Sequence, residues 1–273
     1  MYPGKYAEQN PDRSAFVMAA TGERVSYQEF EARSNRVAHY LADKGLGFQD
    51  HYSIFMENNN RYLESCAAGE RSGLYFTCIN SFLTSDELAY IINNSESQIL
   101  ITSMSKLEAA QEALAQCTAI KEVLVVGAGD ADLPEGMSDF ASTLSKYPET
   151  PLERELLGAA MLYSSGTTGR PKGIVRPLPE QSPNEPLPVI GFLSGLWRYR
   201  EDMIYLSPAP LYHSAPQAAV GLTLRMGGTV VIMERFDPAD YLRFVEEYQV
   251  SHSQLVPTMF SRMLKMPEED RTK

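Results

Sequence analysis

Residues 163–173 read Tyr-Ser-Ser-Gly-Thr-Thr-Gly-Arg-Pro-Lys-Gly, directly after the apolar run Ala159-Ala160-Met161-Leu162. The apolar run is short enough to be a buried strand, and the segment after it is built for an anion. Glycines let backbone N–H groups approach a ligand with no Cβ in the way. Successive N–H groups in such a loop form an anion-binding concavity, and a lysine adds a full positive charge. The ligand class this predicts is a polyphosphate, with ATP the natural candidate. The P-loop spacing fails, because Pro171 stands where its second glycine belongs and Gly173, not Ser or Thr, follows Lys172. A G-x-G-x-x-G fingerprint is absent around Gly166 and Gly169, and Tyr163 and Thr167 rule out a G-x-S-x-G nucleophile elbow. The loop belongs to another phosphate-handling class, or else is a Gly/Ser/Thr-rich surface loop with Lys172 merely solvated.

Working outward, strand and helix patterns alternate. Ala15–Met18 and Glu23–Val25 predict a hairpin around Thr21-Gly22. Ser26 with Glu29, and Thr84 with Glu87, are capping boxes that open helices. Strands are predicted at 52–56, 74–79, 98–102 and 122–126, with helices over 60–71 and 105–116 between them. Residues 127–158 read as a surface excursion. Residues 177–188 contain Pro177, Pro179, Pro183, Pro186 and Pro188, which exclude regular helix or central strand; the segment is an ordered surface loop or a gate over the site. Strands at 203–206, 229–233 and 253–256 then alternate with helices over 215–226, from Asp237-Pro238 to about 248, and from Pro257 to about 266. Strands joined by helices of this length imply right-handed crossovers. The fold class is α/β, with mainly parallel sheets flanked by helices.

The 273 residues are 44% hydrophobic and 22% charged, enough for a substantial core. A net charge of −11 argues against nucleic acid or an anionic membrane as partner. It also makes the local positive potential of Arg170 and Lys172 necessary if ATP is to bind. No apolar stretch reaches the length of a transmembrane segment, and no secretory signal opens the chain. Cys66, Cys78 and Cys117 show no CxxC spacing, which predicts reduced thiols in a cytoplasmic protein.

A second constellation is Pro208-Ala209-Pro210-Leu211-Tyr212-His213-Ser214-Ala215-Pro216, between a predicted strand and helix. A histidine in such a loop can reach a ligand in the crevice of an open sheet; it can equally serve as a helix cap or packing residue. His39, His51 and His252 lack metal-ligand spacing and read as structural.

The 163–173 segment resembles the signature loop of the adenylate-forming enzymes. Ser26-Tyr27-Gln28-Glu29-Phe30, Glu70-Arg71-Ser72-Gly73-Leu74 with Asn80, Pro210-Leu211-Tyr212-His213 and Val256-Pro257-Thr258-Met259-Phe260 are similar to stretches of acyl-CoA synthetases, most of all fatty-acyl-CoA synthetases. The resemblance implies an ATP-dependent acid–thiol ligase. A fatty acid or related carboxylate reacts with ATP and Mg²⁺ to an acyl-adenylate and pyrophosphate, and CoA then displaces AMP. It also implies that Ser164, Ser165, Gly166, Thr167, Thr168, Gly169 and Lys172 hold the β/γ-phosphates, and that Tyr212 and His213 line the substrate pocket. No candidate is found for the later family elements: the Tyr-Gly-x-Thr-Glu stretch, the ribose-binding Asp, the hinge and the C-terminal domain with its catalytic Lys. Residues 1–273 are accordingly expected to be the N-terminal portion of an adenylation domain, unable to complete adenylation alone and prone to homo-oligomer formation. An aryl-CoA or amino-acid-activating enzyme, and a non-catalytic nucleotide- or acyl-binding module, remain the alternative readings.

Overall fold

The structure, a computed structural model, describes residues 1–164 and 170–271. Its first element pair is the expected hairpin: β1 (Ser14–Met18) and β2 (Arg24–Ser26) are antiparallel, and Gly22 takes φ +72° in the turn. Ser26 ends β2 and starts the helix Tyr27–Asp43. Its hydroxyl accepts from the Glu29 amide at 3.1 Å, and its own amide donates to the Glu29 carboxylate at 2.8 Å. Thr84 and Glu87 form the second box, on the helix Ser85–Asn94. Each box satisfies two amides that the first helical turn leaves unpaired.

Most of the remaining strands sort into two sheets. One is parallel throughout, in the order β7 (Met137–Asp139), β6 (Glu122–Val126), β5 (Ile99–Ser103), β3 (His51–Phe55), β4 (Tyr75–Cys78), β8 (Ala159–Ala160). The other runs β13 (His252–Ser253), β11 (Ile204–Ser207), β12 (Thr229–Ile232), β1, β2, and is parallel except at the hairpin. β4 and β5 are buried along their whole length, as expected where helices cover both faces of a parallel sheet.

Three cores separate the layers. The largest joins Phe16 and Ile232 of one sheet to Ile54 and Phe76 of the other through helices Tyr27–Asp43, Tyr62–Ser72 and Ser214–Arg225. Helices Ser85–Asn94 and Leu107–Leu114 cover the outer face of the first sheet, and Pro238–Glu247 and Pro257–Leu264 that of the second. The order is helix, sheet, helix, sheet, helix. Helix Tyr62–Ser72 ends on Gly73 at φ +67°, the left-handed cap that glycine takes without strain. Its Arg71 is fully buried, with Glu31 at 2.7 Å and Glu155 at 2.9 Å. Gly158 closes the joint between this helix and β8: a Cβ there would lie 2.1 Å from the Gly69 carbonyl oxygen.

Some expectations need correction. Residues 127–158 are not only a surface excursion, since they hold β7 and the helix Phe140–Leu144, capped by Asp139 accepting from the Ser142 amide at 2.7 Å. The proline-rich segment is free of helix and strand up to Pro188, which opens a helix, Pro188–Trp197, that the sequence reading passed over. Proline is tolerated there because a first-turn amide has no helical partner. The last strand lies at His252–Ser253, with Val256 instead in the extended N-cap position before Pro257. The predicted 105–116 helix divides into a 3₁₀ turn, Met104–Lys106, and Leu107–Leu114.

Candidate functional site

β8 runs beside β4 until the Met161 amide bonds the Phe76 carbonyl at 3.0 Å. The chain then continues as β9 (Leu162–Ser164) and returns as antiparallel β10 (Lys172–Ile174). Register places Lys172 opposite Ser164, Gly173 opposite Tyr163 and Ile174 opposite Leu162. Side chains directly opposite in an antiparallel pair share a face, so the neck of the hairpin carries the Lys172 ammonium beside the Ser164 hydroxyl. Both residues are exposed. Among the described residues no carboxylate pairs with Lys172. Ser165, Gly166, Thr167, Thr168 and Gly169 lie outside the described residues.

Aromatic side chains hold the neck in place. The Tyr163 hydroxyl donates to Asn94 Oδ1 at 2.7 Å, Tyr90 donates to the Pro171 carbonyl at 3.1 Å, and Tyr75 donates to the Arg176 carbonyl at 2.5 Å. Burial pushes the Tyr163 phenol above its usual value, so it stays a donor. The Arg170 guanidinium lies 5.0 Å from the Tyr90 ring centroid, a cation–π distance. Gly173 is glycine for packing reasons: a Cβ would come within 2.4 Å of the Met161 methyl and 3.0 Å of the Tyr163 ring.

Tyr212 and His213 stand in the loop that leaves β11. The loop leaves the carboxyl end of an inner strand flanked by β12 and β13, and open α/β sheets hold ligands outside the carboxyl ends of their strands. The two rings are 4.3 Å apart between centroids, tilted at 52°. His213 occupies the N-cap of helix Ser214–Arg225, yet its side chain makes no capping bond. Partial burial holds the imidazole below its usual value and the Tyr212 phenol above. The other histidines have packing roles: His51 stacks on Tyr75 at 4.7 Å, His39 meets the Thr150 carbonyl, and His252 meets the Trp197 carbonyl.

Two residues that the sequence reading did not single out position this loop. Buried Asn58 accepts from the Leu211 amide at 2.9 Å and donates to the Met233 and Ala209 carbonyls at 2.9 and 3.2 Å, tying the end of one sheet to the other. Its signal was the polar run Glu57-Asn58-Asn59-Asn60 straight after a buried strand. Gln217, one turn past His213, donates to the sulfur of Cys78, the last residue of β4, at 2.8 Å. Because β9 lies against β4, the hairpin and the Tyr212-His213 loop both meet the carboxyl end of that strand.

Known proteins share this sequence pattern and fold. The chain is 27% identical over 265 residues to 4-coumarate–CoA ligase 1 of Petroselinum crispum, covering 95% of this chain and 47% of that protein. It is 28% identical over 255 residues to a medium/long-chain-fatty-acid–CoA/3-oxocholest-4-en-26-oate–CoA ligase of Mycolicibacterium smegmatis, covering 88% and 46%. The structure of ATP-bound MatB from Rhodopseudomonas palustris superposes with a TM-score of 0.76 at 27% identity, over 99% of this chain and 53% of that one. The chain thus spans about half the length of the curated relatives it matches. Residues 5–273 match the family described as AMP-binding enzyme, and the chain belongs to that family.

Proposed function

We propose that these residues form the phosphate-gripping part of an ATP-dependent acid–CoA ligase whose carboxylate substrate is a fatty acid. The observation that carries the reading is the hairpin neck, where Lys172, paired with no carboxylate among the described residues, faces Ser164 at the head of the Gly/Ser/Thr loop. Attack of a carboxylate oxygen on the α-phosphate forms a C–O–P linkage and breaks the bond to the β-phosphate, so negative charge grows on the departing pyrophosphate. Fixed donors and one cation stabilise that charge without reorganising. Lys172 acts there as a charge partner. Mg²⁺ enters with the nucleotide, and CoA sulfur then takes the acyl group and releases AMP. Tyr212 and a neutral His213 would bound the acyl side.

An aryl carboxylate is the second reading, supported by the similarity to a 4-coumarate–CoA ligase. Equilibrium dialysis with ATP tests the grip: Lys172→Ala should weaken binding at least about tenfold, as loss of a charge-assisted contact does. Unchanged affinity would remove the hairpin from the site. Pyrophosphate exchange with saturated fatty acids and hydroxycinnamates separates the two substrate classes in a longer chain. Residues 1–273 alone are expected to bind ATP without exchange.

A further inference from the structure

Two cysteines meet beneath the loop just described. Cys66 lies on the helix Tyr62–Ser72 and Cys78 ends β4, and their sulfurs are 3.7 Å apart. Both are free thiols. A disulfide requires about 2.05 Å, so the sulfurs need to close by roughly 1.6 Å, a movement two side-chain rotations can share. Their surroundings differ from those of an inert core thiol. Gln217 donates to Cys78, and the Tyr62 hydroxyl adjoins the same sulfur. Burial alone would raise the Cys78 thiol, yet the polar groups around it, with Cys66 and Gln217 in hydrogen-bond contact, bring it below its usual value, whereas burial drives Cys66 well above. Exposure is asymmetric in the same sense: Cys78 keeps 6% and Cys66 none. The pair therefore has one sulfur suited to attack and one suited to follow.

We propose that Cys66 and Cys78 are a redox-active dithiol that a small hydroperoxide converts to a disulfide. The Cys78 sulfur attacks one peroxide oxygen and the O–O bond breaks. The other oxygen leaves as water with the thiol proton, and Cys78 is left as a sulfenic acid. Cys66 sulfur then attacks Cys78 sulfur, forming S–S and breaking S–O, and the hydroxyl leaves as water with the Cys66 proton. Two thiols and one hydrogen peroxide become one disulfide and two waters, with two electrons passing from sulfur to oxygen. Gln217 loses its thiol acceptor in the process, and Gln217 sits in the first turn of the helix that His213 begins. Oxidation thereby loosens that turn, whatever ligand the loop holds.

The test uses the full chain and hydrogen peroxide, followed by alkylation and trypsin. Cleavage after Arg61, Arg71 and Lys106 places Cys66 in peptide 62–71 and Cys78 in peptide 72–106, so the disulfide appears as one species joining the two. The joined species should form about tenfold faster than any oxidation of Cys117, which is bonded only to carbonyl oxygens and held above its usual value by burial. Dithiothreitol should reverse it, and amide exchange over 214–218 should rise in the oxidised protein. Cys66→Ser should stop at a Cys78 sulfenic acid that dimedone traps, with Cys66→Ala as the alternative if the first variant does not fold. Failure of the wild-type protein to give the joined species, its formation only in urea, or earlier oxidation of Cys117 would each overturn the proposal. Unchanged exchange over 214–218 would overturn the coupling to the loop.

Discussion

Replacing Glu64 by Gln should stabilise the protein increasingly as pH rises. Glu64 lies in the first turn of helix Tyr62–Ser72 with a side chain 2% exposed, 3.3 Å from Arg61 and 3.9 Å from Arg33. Two guanidiniums would ordinarily hold a carboxyl low. Here burial outweighs them and pushes the group up to about 7. An unfolded carboxyl near 4.5 has already lost its proton where the folded one keeps it, so this group's contribution is intact below pH 4.5. It declines as pH rises and is exhausted above about 7. At roughly 1.4 kcal/mol per pH unit, the decline is about 1 kcal/mol by pH 5.5 and about 3 kcal/mol by pH 8.5. The Gln variant has no such proton to lose, so its advantage over wild type should grow by about 2 kcal/mol between those two pH values. Urea unfolding followed by far-UV circular dichroism at both pH values measures it. A variant less stable than wild type at pH 8.5, or a difference that does not change with pH, would show that the Arg61 and Arg33 attractions prevail over burial.

Three further substitutions probe the packing around the site and the helix before β4. Gly158→Ala should cost about 1–3 kcal/mol or more, because the new methyl meets backbone oxygens of Gly69 and Leu74 that cannot step aside. Gly173→Ala should cost less than about 1 kcal/mol, since its nearest obstacle is the movable Met161 methyl; equal losses in urea unfolding would contradict this distinction. Arg71→Met should destabilise by about 3–5 kcal/mol, through the partly buried Glu31 and Glu155 carboxylates left without their cation. Adding Glu31→Gln and Glu155→Gln should restore part of that loss, and a triple variant no better than the single would refute the charge argument.

What could be read from the sequence divides by range. The Ser26–Glu29 and Thr84–Glu87 boxes and the Asp237-Pro238 start were legible because a cap is settled within four residues, and each is present. The alternation of strands and helices was legible for the same reason. The division into two sheets was not, because it rests on pairings such as Phe16 with Val230, which no local pattern encodes. β7 and the short helix after it carry too few residues for periodicity, and β7 exists by pairing with Val123–Val125. At the candidate site, the Gly/Ser/Thr loop and Lys172 stood out by composition. The side chains that hold them, Tyr75, Tyr90 and Asn94, come from elements some 70 to 100 residues away in the chain and look ordinary in sequence.

That separation bears on how the hairpin could work. Ser164 and Lys172 sit on a strand pair outside both large sheets, while the groups that fix its neck belong to β4 and to helix Ser85–Asn94. Met161 is the pivot: up to its amide the chain is bonded into the parallel sheet, and after it Leu162–Ser164 pair with Lys172–Ile174. The His213 loop is arranged differently, stitched by Asn58 to both sheets and by Gln217 to β4. The hairpin neck is therefore held by side chains reaching it from β4 and one helix, whereas the His213 loop is anchored to the ends of both sheets.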